Sequence, residues 1–351
     1  MSDDRHLRNK RQAYATLREL AAAPAPQIAS ILKRAYHDDA YWFGSHPLNE
    51  LHGIAAIEDV WRDMRQAFPD MERRDSILVG GAYKGADMVA AMGHYQATFV
   101  EDWLGVPATH GVVHLRYCEV HRYVDRKIAH TYALIDLLDL MRQAGVWPLP
   151  PSLGAEGMWP GPATGDGLRL SASDEQLGKA SRDTVLAMHQ AMFDFDGVNL
   201  DSMDQAEYWA EHFMWYGPAG IGACRGMTGY QAHHQIPFLT AFPDRGGAGH
   251  YVCIGDGEYV VTGGWPSVVA THTGGGWLGL APTNKPVGMR VMDFYRTESG
   301  GALSRGARGG TPRRKIAENW VPIDMIDLLL QMGTDVLARL EHMRGNPRHS
   351  L

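Results

Sequence analysis

The chain has 351 residues, 45% hydrophobic and 21% charged, with a formal charge of −7, which is enough for two globular domains and excludes a strongly basic nucleic-acid surface. Its three cysteines (Cys118, Cys224 and Cys253) lack paired spacing, which excludes a disulfide scaffold and fits a reducing compartment. Residues 1–12 are too charged for a secretory signal and no apolar run approaches the roughly 20 residues that cross a bilayer, so a cytoplasmic protein without membrane or nucleic-acid partners is expected.

Within residues 4–34, Leu7, Ala13, Leu17 and Leu20 fall at helical spacing until the APAP run at 23–26, and 27–38 predict a second helix. Tyr41, Trp42 and Phe43 lead to Gly44 as an aromatic strand end. Ile57, Val60, Trp61, Met64 and Phe68 predict a helix over 55–68, closed by Pro69 and Asp70. Strands follow over 76–81, 88–98 and 112–123, the last with strong alternation. Residues 128–145 (IAHTYALIDLLDLMRQAG) then run from apolar sequence into a helix. Proline and glycine dominate 146–180 without periodicity, which reads as an inter-domain linker.

The second half repeats the first. A helix is predicted over 181–195, and WYGPAGIGACRG at 215–226 answers WFGSHPLNELHG at 42–53. The words AFPD (67–70 and 241–244) and WLG (103–105 and 277–279) recur, and strand 287–296 answers 113–122. Residues 316–333 match 128–145 at eight of eighteen positions, where about one would match by chance, so the chain is an internal duplication. The growing offset places an insertion in the Gly/Arg-rich stretch 298–314, read as a loop between two strands. The expected organisation is a helical extension (1–26), a first unit (27–145), the linker (146–180), a second unit (181–340) and a tail (341–351). Each unit predicts an α+β fold with a mostly antiparallel sheet and helices on one face.

These words, in this order and twice over, resemble the SnoaL-like polyketide cyclase family of the nuclear transport factor 2-like superfamily. The second copy carries them more closely: WYGPAGIG, RGM, AFPD, then Thr271-His272-Thr273-Gly274, KIAENW, and Asp324 before LLLQMG. The resemblance covers 27–145 and 181–340. It implies two cone-shaped units, each a strongly curved sheet wrapped around helices in a cystatin-like α+β barrel, with an apolar pocket for a small hydrophobic molecule. It also implies dimerisation through the sheet. A tandem chain would make that contact internally, as an intrachain pseudo-dimer; a homodimer of whole chains is the other arrangement. Cyclases of this family use no metal and no organic cofactor. Their acid/base aspartate maps onto Asp136 and Asp324, and the assisting histidine onto His121, with Tyr295 in its place in the second copy. The duplication, the N-terminal extension and the insertion depart from a typical member.

The residues themselves leave alternatives open. An aspartate buried in an apolar cone has its charged form disfavoured and can take a proton from carbon beside a carbonyl. Yet Asp-x-x-Asp ahead of Leu-rich sequence is also the pattern of a helix N-cap. Val113, Leu115, Tyr117, Glu119 and His121 share one strand face, as do Val287, Met289, Val291, Asp293 and Tyr295. Either that face is the pocket wall or it is the outer surface. Tyr41, Trp42, Trp215, Tyr216 and Trp320 are candidates to line the pockets, with His94 and His272 on middle strands; core packing is the alternative for each. His110 and His114 fall in an alternating run with no third ligand, and His233 and His234 point apart on a helix. GIGACRG lacks the strand-to-helix context of a nucleotide loop.

Two classes of function follow. One is a cofactor-independent acid–base lyase or isomerase acting on a hydrophobic ring-bearing carbonyl or hydroxylated compound. The other is a protein that binds a hydrophobic ligand, or serves as a scaffold, without catalysis. A buried Asp paired with His or Tyr inside a cavity favours the enzyme.

Overall fold

The computed structural model describes residues 4–300 and 314–343. Most of the expected inserted loop (298–314), with its basic run, and residues 344–351 of the tail lie outside the described residues.

Asp4 accepts the Leu7 N–H and opens helix α1 (Arg5–Ala22); α2 (Ala25–Ala35) follows the Pro24 break. The first unit continues with strands β1 (Tyr36–Gly44) and β2 (Glu50–His52), helix α3 (Ile54–Ala67), strands β3 (Glu72–Tyr83), β4 (Ala86–Thr98), β5 (Val112–Val124) and β6 (Lys127–Ile135), and helix α4 (Leu137–Gln143). The second unit begins at α5 (Glu175–Ala191), six residues earlier than the sequence predicts, because Asp174 caps it through the Leu177 N–H. Strands β7 (Trp209–Tyr216) and β8 (Ala223–Arg225) precede a helical run of α6 (Gly226–Tyr230), a π turn (Gln231–Gln235) and α7 (Ile236–Ala241). Pro237 has no N–H to give the preceding turn, which accounts for the widened helix there. Strands β9 (Gly246–Gly247), β10 (Val252–Asp256), β11 (Tyr259–Thr271), β12 (Pro286–Ser299) and β13 (Arg314–Trp320) and helices α8 (Met325–Gln331) and α9 (Val336–Met343) complete it.

The sheets run β2-β1-β6-β5-β4-β3 and β8-β7-β13-β12-β11-β10, with β9 also paired to β11. The two orders correspond strand for strand, so the duplication read in the sequence is a duplication of topology. Every pairing is antiparallel except β1 with β6 and β7 with β13. The repeat extends to single backbone conformations. Leu104 and Leu278, in the two WLG words, are both left-handed (φ 49° and 51°). Gly145 and Gly333 both end a helix at positive φ (72° and 90°), where a side chain would be strained. The chain is thus two α+β units, each a mixed sheet with helices, and neither sheet closes into a barrel.

Alternation along the strands divides the core in two. Leu78, Val89, Tyr95, Leu115 and Tyr117 face the helices of the first unit, as Met289, Val291 and Tyr295 do in the second. The intervening residues form a separate cluster that joins both sheets: Val79, Met92 and Val120 with Ile254, Met292 and Phe294. Burying a side chain of that size is worth about 1.5–3 kcal/mol, so this shared layer is a major adhesive between the units. Residues 146–174 thread along it instead of hanging free. Trp159 is buried in the layer, Ala155 pairs with Ala223, the Pro160 carbonyl accepts Trp320 Nε1–H, and Arg169 N–H reaches Leu78. Helix α1 adds a bond between units: the buried Lys10 ammonium reaches Asp256 Oδ2 at 2.6 Å and the Ser171 carbonyl at 2.9 Å.

Candidate functional site

Strand β12 alternates apolar side chains toward α5 and the π turn, and its polar pair Asp293 and Tyr295 falls on that same face. The space between them is a cavity of about 400 Å³, within the range of small-molecule sites. Met188 and His189 of α5, Trp215 of β7, His234 of the π turn, and Met289 and Val291 of β12 wall it. Asp293 is partly open to this cavity yet lies deep in the protein. Burial pushes its carboxyl up to about 7, against hydrogen bonds from Asn319 and Tyr295 that hold it down. The Tyr295 hydroxyl lies 2.8 Å from His189 Nε2. Burial lowers His189 to about 3, with His250 adding to the effect, so its imidazole is neutral. With Nε2 protonated, His189 donates to the Tyr295 oxygen and the phenol proton is directed at Asp293. His234 is likewise driven to about 3 by burial, and its ring stacks on Trp215 at 4.1 Å.

The equivalent face of the first unit is filled. Glu119 stands where Asp293 does and His121 where Tyr295 does. Arg73 reaches Glu119 at 2.8 Å and Asp75 at 2.8 Å, Tyr117 donates to Asp75 at 2.6 Å, and Arg73 also donates to the Tyr95 hydroxyl. His121 Nδ1 meets Thr131 Oγ1 at 3.0 Å, and its Nε2 lies 3.4 Å from Glu119. Burial raises the Glu119 pKa, but Arg73 and His121 outweigh it and hold the carboxyl at about 2. The network pairs its charges, although Arg73 Nη2, Asp75 Oδ2 and His121 Nε2 are buried in it without a hydrogen-bond partner.

The two aspartates expected as acid/base groups are not in the cavity. Asp136 caps α4 through the Asp139 N–H, and Asp324 caps α8 through the Asp327 N–H. Their second oxygens cross between units in matching fashion. Asp136 Oδ2 accepts from Ala219 N–H at 3.0 Å, and Asp324 Oδ2 from His46 N–H at 2.9 Å. Arg116 and Arg290 supply the nearby cations. Burial still raises both carboxyls to about 6. They are capping and bridging groups, because the turn that needs an N-cap also brings the other unit's backbone N–H to the same carboxylate.

Of the residues expected to line a pocket, Trp215 does so and Tyr295 reaches the same cavity. The others are corrected by their surroundings. Trp42 packs edge-on against Trp61 in the first core, and half-buried Tyr41 stacks on His52. Tyr216 and Trp320 stack on each other in the layer between the sheets. Buried His272 meets Thr283 at 3.1 Å and packs on Phe242. His94 lies beside His114 in a depression of the first unit that Gly157 and Trp159 also line. His189 and Asn319 were not singled out by the sequence: one is a single histidine on an amphipathic helix, the other a single amide within a strand. The alternating face of β12 carried the signal for Asp293.

Two mixed sheets, joined by their outer faces and with an apolar cavity in the second, define a tandem α+β protein. Residues 14–144, most of the first unit, match the family described as SnoaL-like polyketide cyclase. That match falls on the copy with the filled interior, although the second copy carries the family's words more closely. No curated protein matches the chain. Among solved structures it is similar to a candidate SnoaL-like polyketide cyclase from Jannaschia sp. CCS1, with 17% identity over 40% of this chain and 94% of that one and a TM-score of 0.33. It is also similar to AclR, a candidate hydroxylase from Streptomyces galilaeus (23% identity, 40% and 89% covered, TM-score 0.33). IdmH, a candidate polyketide cyclase from Streptomyces antibioticus, gives 21% identity, 38% and 99% coverage and a TM-score of 0.33. Among the described residues no helix is long and apolar enough to cross a membrane.

Proposed function

We propose that the second unit is a cofactor-independent acid–base catalyst acting on a hydrophobic, ring-bearing carbonyl or hydroxylated compound. The observation that carries this reading is a carboxyl poised at about 7 inside an apolar cavity and hydrogen-bonded to Tyr295. Near neutral pH Asp293 is divided between its two forms, which suits a group that takes a proton at one atom and returns it at another. Asp293 carboxylate removes a proton from the carbon beside a carbonyl. The carbon–hydrogen bond pair moves into the enolate, and the developing negative oxygen accepts a hydrogen bond from the Tyr295 hydroxyl, which keeps its proton and is oriented by His189. The protonated Asp293 then delivers its proton to carbon or to a leaving oxygen. Aldol cyclisation, dehydration, isomerisation and carbon–carbon cleavage all share that first step, and the apolar walls strengthen it by excluding water. The first unit serves as the structural half of an intrachain pseudo-dimer. The three free, buried thiols suit a reducing cytoplasm.

The test uses a simple ring ketone. The full chain is incubated with 2-tetralone in deuterium oxide, and loss of the protons beside the carbonyl is followed by NMR. Exchange faster than buffer alone, abolished in Asp293→Asn, is expected. Exchange that survives that substitution, or no exchange with a ketone shown to bind, overturns the reading.

A further inference from the structure

The cavity opens sideways into a groove, and Phe193, Leu239 and Arg245 line both. Among the described residues Arg245 is the sole lysine or arginine lining either space. Its guanidinium is held in place at the junction. Nη2 donates to the Met192 carbonyl at 3.1 Å, and its central carbon stands 5.6 Å from the centre of the Phe195 ring. The carboxylates beside it are engaged elsewhere. Asp196 accepts the N–H groups of Val198 and Asn199 at 2.8 and 2.7 Å, and Asp244 accepts that of Thr271 at 2.8 Å. Burial lowers the Arg245 pKa, and the Tyr230 hydroxyl, across the cavity lining, is the one group opposing that shift. A half-buried cation without a counter-charge is costly, and a guanidinium held by one edge offers its remaining donors to a carboxylate in two parallel bonds. At Asp293, no cation among the described residues contributes to the shift of the carboxyl. Charge recognition and proton transfer are therefore separated along the site.

We propose that the cavity takes an amphipathic carboxylate, with its ring system in the apolar chamber toward Asp293 and its anionic group paired with Arg245 at the groove. This rests on the chamber being the hydrophobic-ligand site and adds the substrate class. It also accounts for the single arginine among the described residues that line the chamber and the groove. The anion of the ligand sits away from Asp293, so it does not oppose ionisation of that group.

Binding of 2-naphthoate and of its neutral amide, 2-naphthamide, to the full chain separates the two ideas. Titrations followed by calorimetry at about pH 6 keep the naphthoate ionised and most of Asp293 protonated. The wild type is expected to bind naphthoate about tenfold or more tightly than the amide, the scale of a charge-assisted pair. Arg245→Gln should erase that preference while amide binding persists, which shows an intact chamber, and Arg245→Lys should restore part of it. Equal affinities in the wild type, or a preference that survives Arg245→Gln, overturns the carboxylate site alone. If the wild type binds neither compound, the chamber reading fails with it.

Discussion

Glu119 and Asp293 occupy the same position in the two sheets, 174 residues apart, and titrate in opposite directions, at about 2 and about 7. The difference lies in what faces them. Arg73 sits against Glu119 in the first unit, whereas Asn319 and Tyr295 offer Asp293 only neutral hydrogen bonds. One duplicated strand position has thus become a permanently ionised strut in one copy and a poised carboxyl in the other.

Because its folded-state pKa is raised, Asp293 contributes stability that is fully present below its unfolded value near 3.8 and lost as pH rises through about 7. Asp136 and Asp324 act with the same sign, lost through about 6. His189 and His234, depressed to about 3, act with the opposite sign, gaining stability as pH rises toward the usual histidine value of 6.5, so the wild-type profile sums both effects. The test is therefore a difference: the urea midpoint of the wild type relative to Asp293→Asn should fall as pH rises from about 4 to about 7. A difference that is constant or rises over that range contradicts the assignment.

Glu119 has the reverse sign. Its pKa is depressed, so its stabilisation is present above the usual glutamate value of 4.5 and disappears as pH falls through about 2. Arg73→Met alone leaves two carboxylates buried without their cation and should cost about 3–5 kcal/mol. Adding Glu119→Gln should recover part of that loss. A double-mutant cycle by urea denaturation checks both statements.

Tyr295→Phe removes a hydrogen bond that lowers the Asp293 pKa. The Asp293 titration, followed by carbon-13 NMR of the carboxyl, should therefore move above about 7. Ketone exchange should fall by about 10²-fold or more as the donor to the enolate oxygen is lost. An unchanged midpoint would mean that the two side chains do not communicate.

Asp324→Ala and Asp136→Ala each delete a helix cap and a bond between units. Each should lower stability by about 1–2 kcal/mol, read as a shifted thermal midpoint, while naphthamide binding stays at the wild-type level. Loss of ligand binding in a folded variant would return these residues to the site.

The fold was legible because its cues are local and came twice. Leu, Ile and Trp spacing marked α1 and α3, alternation marked β5 and β12, and the repeated words fixed the correspondence between the halves. Two features of the architecture were not legible: the parallel pairing of β1 with β6, and the course of residues 146–174 along both sheets. A proline- and glycine-rich stretch carries no periodicity to show that Trp159 is buried or that its carbonyls meet the other unit.

By itself the sequence determined that the chain is a duplicated α+β protein and that Asp293 and Tyr295 share a strand face with Met289 and Val291. It left undecided which way that face points, because Met292 and Phe294 make the opposite face equally apolar. The tertiary structure decided it: the second face is covered by the other sheet, so the first must face the helices and the cavity. Only the tertiary structure brought His189 to Tyr295, left Asp293 without a cation among the described residues, and gave Asp136 and Asp324 their backbone N–H partners across the unit boundary. Those outcomes depend on contacts between residues 83 to 278 positions apart, where local sequence carries no signal.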